Sequence, residues 1–245
     1  MQERLCLAEG AISTIFFDMD NTLFDLVGAK LSACESVVQE TGEGTRDDLF
    51  RYFLEGHWGF EDFRNIRDYL EDRNCYTEIT YEKCCRIYDA VKMDGIVPYP
   101  GVPETLAELK RRGFRLGIIS DAFSREAQRR LDKTCLRQDF DLIVTCDVTG
   151  RKKPSPEPFR YALHHLAAEP SEVILVGDSP NRDMEPAQKL GMKTVYARYG
   201  DRFSEKRIST HADFIIDSMR ELLPLVPDRF VSHRKVSSGS STRRI

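Results

Sequence analysis

The chain has 245 residues, of which 41% are hydrophobic and 31% charged, with a formal net charge of −4. This is the composition of a water-soluble globular protein of one large domain, or of one domain carrying an insertion, and it lacks the basic excess expected of a nucleic-acid-binding chain. No run approaches the roughly 18 apolar residues that cross a bilayer, so neither nucleic acid nor membrane is expected as a partner.

The N-terminal stretch MQERLCLAEG has no long apolar run, so no signal peptide is expected and the location expected is cytoplasmic. The seven cysteines are odd in number and form no C-x-x-C pair. That argues against a zinc site or a disulfide framework and for a reducing compartment. The first apolar run, AISTIFF (11–17), reads as a buried strand, and acids follow at once: Asp18, Asp20 and Asp25. Like charges this close repel, and burying either is costly, so a metal ion or phosphate chemistry is the natural compensation.

From about Leu26 to Val97 no buried strand is evident. GAKLSACESVVQETG, RDDLFRYFLEG, FEDFRNIRDYLEDRN and TYEKCCRIYDAVKM all read as helices, a helical insertion of roughly 70 residues. The adjacent Cys84 and Cys85 read as thiols on one of these helices, and His57 and Trp58 as packing groups within the insertion. VPYPGVP (97–103) marks the return to the sheet.

Beyond it, VPETLAELKRRG (102–113) reads as a helix stopped by Gly113, and FRLGIIS (114–120) as a strand ending in Ser120, with Asp121 next. SREAQRRLDKT (124–134) reads as a helix, DLIVT (141–145) as a strand, and GRKKPSPEPF (150–159) as a loop carrying Lys152 and Lys153. PFRYALHHLA (158–167) reads as a helix in which His164 and His165 are structural. EVILVG (172–177) is a strand running into GDSPNRD (177–183), NRDMEPAQKLG (181–191) a helix stopped by Gly191, and KTVYA (193–197) and DFII (213–216) the last strands. The Ser-rich basic end, 228–245, reads as a disordered tail.

Continuous apolar runs alternating with amphipathic segments imply strands covered on both faces. The expected fold class is α/β: a Rossmann-like parallel sheet core over 1–24 and 98–227, with an all-helical insertion over 25–97. Such sheets bind ligands at the carboxyl ends of their strands. Those ends carry Asp18, Asp20 and Thr22, then Ser120 and Asp121, then Lys152 and Lys153, then Asp178 and Asp183. Carboxylates, a hydroxyl and an ammonium on one rim suit a phosphoryl group and a divalent cation. Each also has a plainer reading: turn acids, a helix-capping serine, solvated lysines. Of the two lysines, Lys153 is preferred because it directly precedes Pro154.

DMDNT (18–22), Ser120, the Lys153 of KKPSPEPF and GDSPNRD resemble, in order, the four motifs of the haloacid dehalogenase superfamily, over roughly residues 10 to 220. The helical insertion is similar to that family's cap. The resemblance implies Asp18 as the nucleophile forming an aspartyl-phosphate, and Asp20 as general acid and base. It implies Mg²⁺ held by the Asp18 and Asp178 carboxylates and the Asp20 main-chain carbonyl, with Asp183 as a ligand or orienting a bound water. It places Thr22, Ser120, Asp121 and Lys153 around the substrate phosphate, with Thr22 also bracing its loop. Dehalogenases do not need a second acid two residues on, so Asp20 argues for phosphoryl transfer. The expected activity is hydrolysis of small soluble phosphomonoesters by a monomer or homodimer, with a small phosphorylated metabolite as partner. Sugar phosphates, glyceraldehyde 3-phosphate, phosphoglycolate and nucleotides are candidates. The alternatives are a phosphomutase using the same Asp pair and a non-catalytic phospho-acceptor or binding module.

Overall fold

The computed structural model describes residues 12–203 and 211–226. The expected tail over 228–245, Cys6 and the first residue of the first apolar run lie outside the described residues. The chain divides into two compact units. One comprises Met1–Leu23, Tyr99–Gln128 and Cys135–Ile245; the other comprises Phe24–Pro98 together with Arg129–Thr134.

The first unit is built on a six-stranded sheet of β1 (Thr14–Phe17), β2 (Arg115–Ile119), β3 (Leu142–Val144), β4 (Val173–Gly177), β5 (Lys193–Ala197) and β6 (Phe214–Ile216). All six expected strands are present, in the order β3-β2-β1-β4-β5-β6, and every pairing is parallel. The expected α/β class is therefore what the chain adopts. Every residue of β1 and β4 is buried, as central strands covered on both faces require. The edge strands β3 and β6 are only partly so. In the central register Phe17 lies opposite Ile118 of β2 and Val176 of β4. The chain leaves β1 for one side of the sheet and returns through β4 on the other, so the switch point lies between these two strands.

The second unit is helical, with α1 (Leu26–Thr41), α2 (Arg46–Glu55), α3 (Arg64–Asp72) and α4 (Glu78–Asp94). Asp25, the third acid after β1, caps α1 by accepting from the Gly28 N–H at 2.8 Å. Thr45 and Asp48 form a reciprocal capping box at α2. The helices close on Val37, Leu49, Phe53, Ile66, Leu70 and Tyr88. Among them lies a fully buried cation: the Lys30 ammonium donates to the Phe60 carbonyl and sits 4.2 Å and 3.8 Å from the ring centroids of Phe53 and Phe60. Arg129 pairs with Asp89 at 2.6 Å and Arg130 with Glu61, which is why residues 129–134 group here.

The helices of the sheet unit are α5 (Val102–Arg111), α6 (Ser124–Lys133, whose second half belongs to the helical unit), α7 (Cys146–Thr149), α8 (Glu157–His165) and α9 (Glu185–Lys189). Gly113 and Gly191 follow α5 and α9 with φ of 79° and 90°, the left-handed stops expected of them. The apolar face of α8 (Phe159, Ala162, Leu163) packs into a core with Phe16, Ile119, Val144 and Leu175. Among the described residues no helix is long and apolar enough to cross a membrane.

The expected continuous helix over 181–191 is the one element that differs. Pro180–Met184 forms a π-helical turn, and α9 starts only at Glu185. The Ser179 carbonyl accepts from both Asp183 N (3.0 Å) and Met184 N (3.2 Å), and the Ser179 hydroxyl accepts from Arg182 N at 3.3 Å. A widened turn of this kind rotates the side chains after it relative to a regular helix, and it directs Asp183 back toward β4.

The loop after β5 is pressed against the loop after β1. A Cβ at Gly200 would stand 1.7 Å from the Asn21 carbonyl oxygen, closer than any rotamer change could relieve. Gly200→Ala is expected to lower the unfolding free energy by about 1–3 kcal/mol, measured by denaturant unfolding. An unchanged transition midpoint would contradict the close approach.

Candidate active site

Asp18 is the first residue beyond β1 and still extends the ladder, its N–H donating to Val176 O at 2.8 Å. Asp178 follows β4, the neighbouring strand, so sheet order alone brings these acids side by side. Ser120 is the first residue beyond β2, with its N–H on Val144 O at 2.9 Å. Lys153 arrives from the loop after α7, and Asp183 from the π turn. Asp18, Ser120, Lys153, Asp178 and Asp183 are all buried.

The centre is an ammonium shared by two carboxylates. Lys153 Nζ donates to Asp18 Oδ1 at 2.5 Å and to Asp183 Oδ1 at 2.6 Å, across 135 and 30 positions of chain. Asp183 Oδ2 accepts from Ser179 N at 3.1 Å. Gly177 leaves room for it, since a Cβ there would lie 2.6 Å from that oxygen. Thr22, fully buried, donates its hydroxyl to Asp18 Oδ2 at 3.4 Å, and its carbonyl accepts from the Tyr199 hydroxyl at 2.7 Å.

Asp121 joins three strand ends. Its Oδ1 accepts from Lys153 N at 2.8 Å and its Oδ2 from Arg182 Nη1 at 3.3 Å. Ser120 Oγ accepts from Ala122 N at 3.2 Å, whereas α6 begins at Ser124, so Ser120 does not cap that helix. Lys152 is exposed, in contrast to Lys153. Asp20 is half-buried, and its carboxylate is not one of the clustered ones.

The electrostatics are lopsided. Burial raises the Asp18 carboxyl, but Lys153 and Arg182 more than offset it and hold it below its usual range. Burial, then the charges of Asp18 and Asp183, push Asp178 well up. Burial raises Asp183 to about 6 despite Lys153. Burial opposes the charge on Lys153, yet Asp18, Asp183 and Asp121 hold it firmly protonated. Three buried carboxylates therefore face one buried ammonium.

Carboxylate oxygens of Asp18, Asp178 and Asp183 all lie within 4.8 Å of one another. Asp178 Oδ1 is buried and has no hydrogen-bond partner among the described residues. An orphaned buried oxygen within an all-oxygen, anionic set is what a hard divalent cation such as Mg²⁺ fits. His57, His164 and His165 are exposed, and Trp58 donates to Asp68 at 2.9 Å within the helical unit.

Arg182 was not singled out by sequence reasoning, although it lies inside GDSPNRD; a cation between two acids of one motif was the available signal. Tyr199 and the left-handed Asn21 (φ 63°) carried none.

The family description "haloacid dehalogenase-like hydrolase" matches residues 15–197. A phosphoglycolate phosphatase of Aquifex aeolicus is 32% identical, over 89% of this chain and 98% of its own length. A glyceraldehyde 3-phosphate phosphatase of Pyrococcus furiosus is 30% identical, over 93% and 98%. A pyrophosphatase PpaX of Bacillus cereus is 34% identical, over 89% and 97%. Two solved structures share the fold. A Thermotoga maritima protein classed as a beta-phosphoglucomutase has a TM-score of 0.73 at 22% identity, covering 91% of this chain and all of that one (100%). The magnesium-bound hydrolase YfnB of Bacillus subtilis has a TM-score of 0.66 at 21% identity, covering 86% of this chain and 96% of that one. The chain belongs to the haloacid dehalogenase-like hydrolase family. It is an enzyme, and the three relatives named are all phosphatases by name.

With divalent cations chelated, Lys153→Met is expected to cost about 3–5 kcal/mol of stability, because Asp18 and Asp183 lose their shared counter-charge. Asp18→Asn, which removes one of three repelling carboxylates, should stay within about 1 kcal/mol of the unaltered chain or exceed it. Urea unfolding of the two variants side by side measures this, and equal losses would contradict the charge balance drawn above.

Proposed function

We propose that this enzyme is a Mg²⁺-dependent phosphatase of small soluble phosphomonoesters, acting through an aspartyl-phosphate on Asp18. The observation that carries the reading is the Asp18–Lys153–Asp183 arrangement beside the orphaned Asp178 oxygen. The three phosphatase relatives, matched over nearly their whole lengths, support the same class. Their names point to phosphoglycolate, glyceraldehyde 3-phosphate and pyrophosphate as the kinds of substrate to be tried first.

Asp18, kept ionised by Lys153, supplies the carboxylate that attacks phosphorus. Thr22 holds that carboxylate from the far side. Ser120 and Lys153 bind the phosphoryl oxygens and take up charge as it develops. Asp20, outside the buried cluster, gives its proton to the departing oxygen and takes one back from the water that cleaves the acyl-phosphate. Asp18, Asp178 and Asp183 would hold the cation, with Asp20 adding its main-chain carbonyl. When bound, Mg²⁺ supplies positive charge that lets an anionic nucleophile approach an anionic ester. A mutase with the same acids would return the phosphoryl group to an acceptor, so measured release of inorganic phosphate separates the two.

Purified protein with Mg²⁺ is expected to release phosphate from an aryl phosphate and to stop on chelation. Asp18→Asn should abolish turnover, and retained turnover would refute the nucleophile. Asp20→Asn should slow alkyl esters by roughly 10²–10⁴ and aryl esters much less, because a phenolate leaves without a proton. Equal slowing of both ester types would count against Asp20 as the acid.

A further inference from the structure

One cation at the sheet edge is left over once the reacting groups are placed. Lys153 is held between two carboxylates, and its side chain is 1% exposed. Arg182 is different: its side chain is 41% exposed. Its tip is held by two long bonds, Nη1 to Asp121 Oδ2 at 3.3 Å and Nε to Ser179 Oγ at 3.4 Å. Charge-assisted pairs close to about 2.7–2.9 Å. Nη2 has no hydrogen-bond partner among the described residues.

The base of the side chain is nevertheless fixed, because Arg182 N donates to Ser179 Oγ inside the π turn between Asp178 and Asp183. Asp121 cannot follow the guanidinium if it moves, since its other oxygen accepts from Lys153 N at 2.8 Å. Arg182 also lies within electrostatic reach of Asp18, Asp178 and Asp183. It is a guanidinium anchored at its root beside the reacting carboxylate, with a loosely held fork. Such a fork gains by exchanging one long, single-pronged bond for a two-pronged pair with an oxyanion.

The reading of the site as a phosphatase, on which this rests, assigns the phosphoryl oxygens to Ser120 and Lys153. An oxyanion for Arg182 must then belong to the leaving group. We infer that Arg182 is a specificity-determining residue that pairs with a second anionic group of the substrate, a carboxylate or a further phosphoryl group close to the ester. Phosphorylated hydroxy acids and diphosphates are favoured by it over esters of uncharged alcohols.

Binding without turnover tests this. Calorimetry with excess Mg²⁺ compares methylphosphonate, which has one anionic group, with phosphonoacetate and methylenediphosphonate, which add a carboxylate or a second phosphorus. The chains compared are the unaltered protein, Arg182→Ala and Arg182→Lys, each with its thermal midpoint checked. Chelation of Mg²⁺ by the probes is common to all three chains and cancels. The unaltered chain is expected to prefer at least one probe that carries two anionic groups. Arg182→Ala should reduce that preference about tenfold, equivalent to about 1.4 kcal/mol, and Arg182→Lys should restore part of it. The probe whose preference falls identifies the anion as carboxylate or phosphate. No preference in the unaltered chain, or the same preference after Arg182→Ala, overturns the assignment. If the preference depends on Arg182 but the unaltered chain releases phosphate from no ester, the oxyanion site stands and the phosphatase reading alone falls.

Discussion

Charge crowding at the end of the central strands governs this protein. Three acids are buried where β1 and β4 end, and a single ammonium, Lys153, is buried with them. Left alone, that balance is unfavourable, since an unpaired charge in a dry interior costs several kcal/mol. The surrounding chain limits the cost by local means: Ser179 N serves Asp183, the Thr22 hydroxyl serves Asp18, and Arg182 adds its field from the rim. What it does not satisfy is Asp178, whose orphaned oxygen marks where stability is given up for chemistry.

The rest of the sheet unit can be understood as the frame for that crowding. Parallel strands deliver their carboxyl ends to one edge, and the order β2-β1-β4 places the residues after β1 and β4 at the switch point. Both faces of β1 and β4 are buried, so the strands that end at Asp18 and Asp178 are packed from both sides of the sheet. Glycine at 177 and at 200 then lets neighbouring backbone and the Asp183 carboxylate come closer than a side chain would allow. Rigidity at these places turns a set of acids into a defined geometry.

Much of this was legible in the residues. Runs such as VILVG (173–177), with no polar side chain at any position, read as strands covered on both faces, and the acids, hydroxyl and lysine that follow them meet at one edge because the strands are parallel. Lys153 was separable from Lys152 by the proline after it. The π turn was not legible: five residues are too few for a period to show, and NRDMEPAQ reads as an ordinary helix start. Nor could the second half of α6 be assigned to the helical unit, because Arg129 and Arg130 look like solvated surface until Asp89 and Glu61 are placed beside them. Asp25, the third acid after β1, belongs to the helical unit as a helix cap. Asp121 offered no local sign that it would bind two other loops, since both its partners are distant in sequence.

The pairing of β1 with β4 joins residues near the start of the chain to residues about two-thirds of the way along it. Contacts of that span form late and slowly compared with local ones. During synthesis, the acid at position 18 therefore has to wait for the π turn to emerge before its neighbours are complete. A nascent chain ending short of Asp183 holds fewer than the full set of clustered carboxylates, so the crowding at this edge arises only once the middle of the sheet has closed.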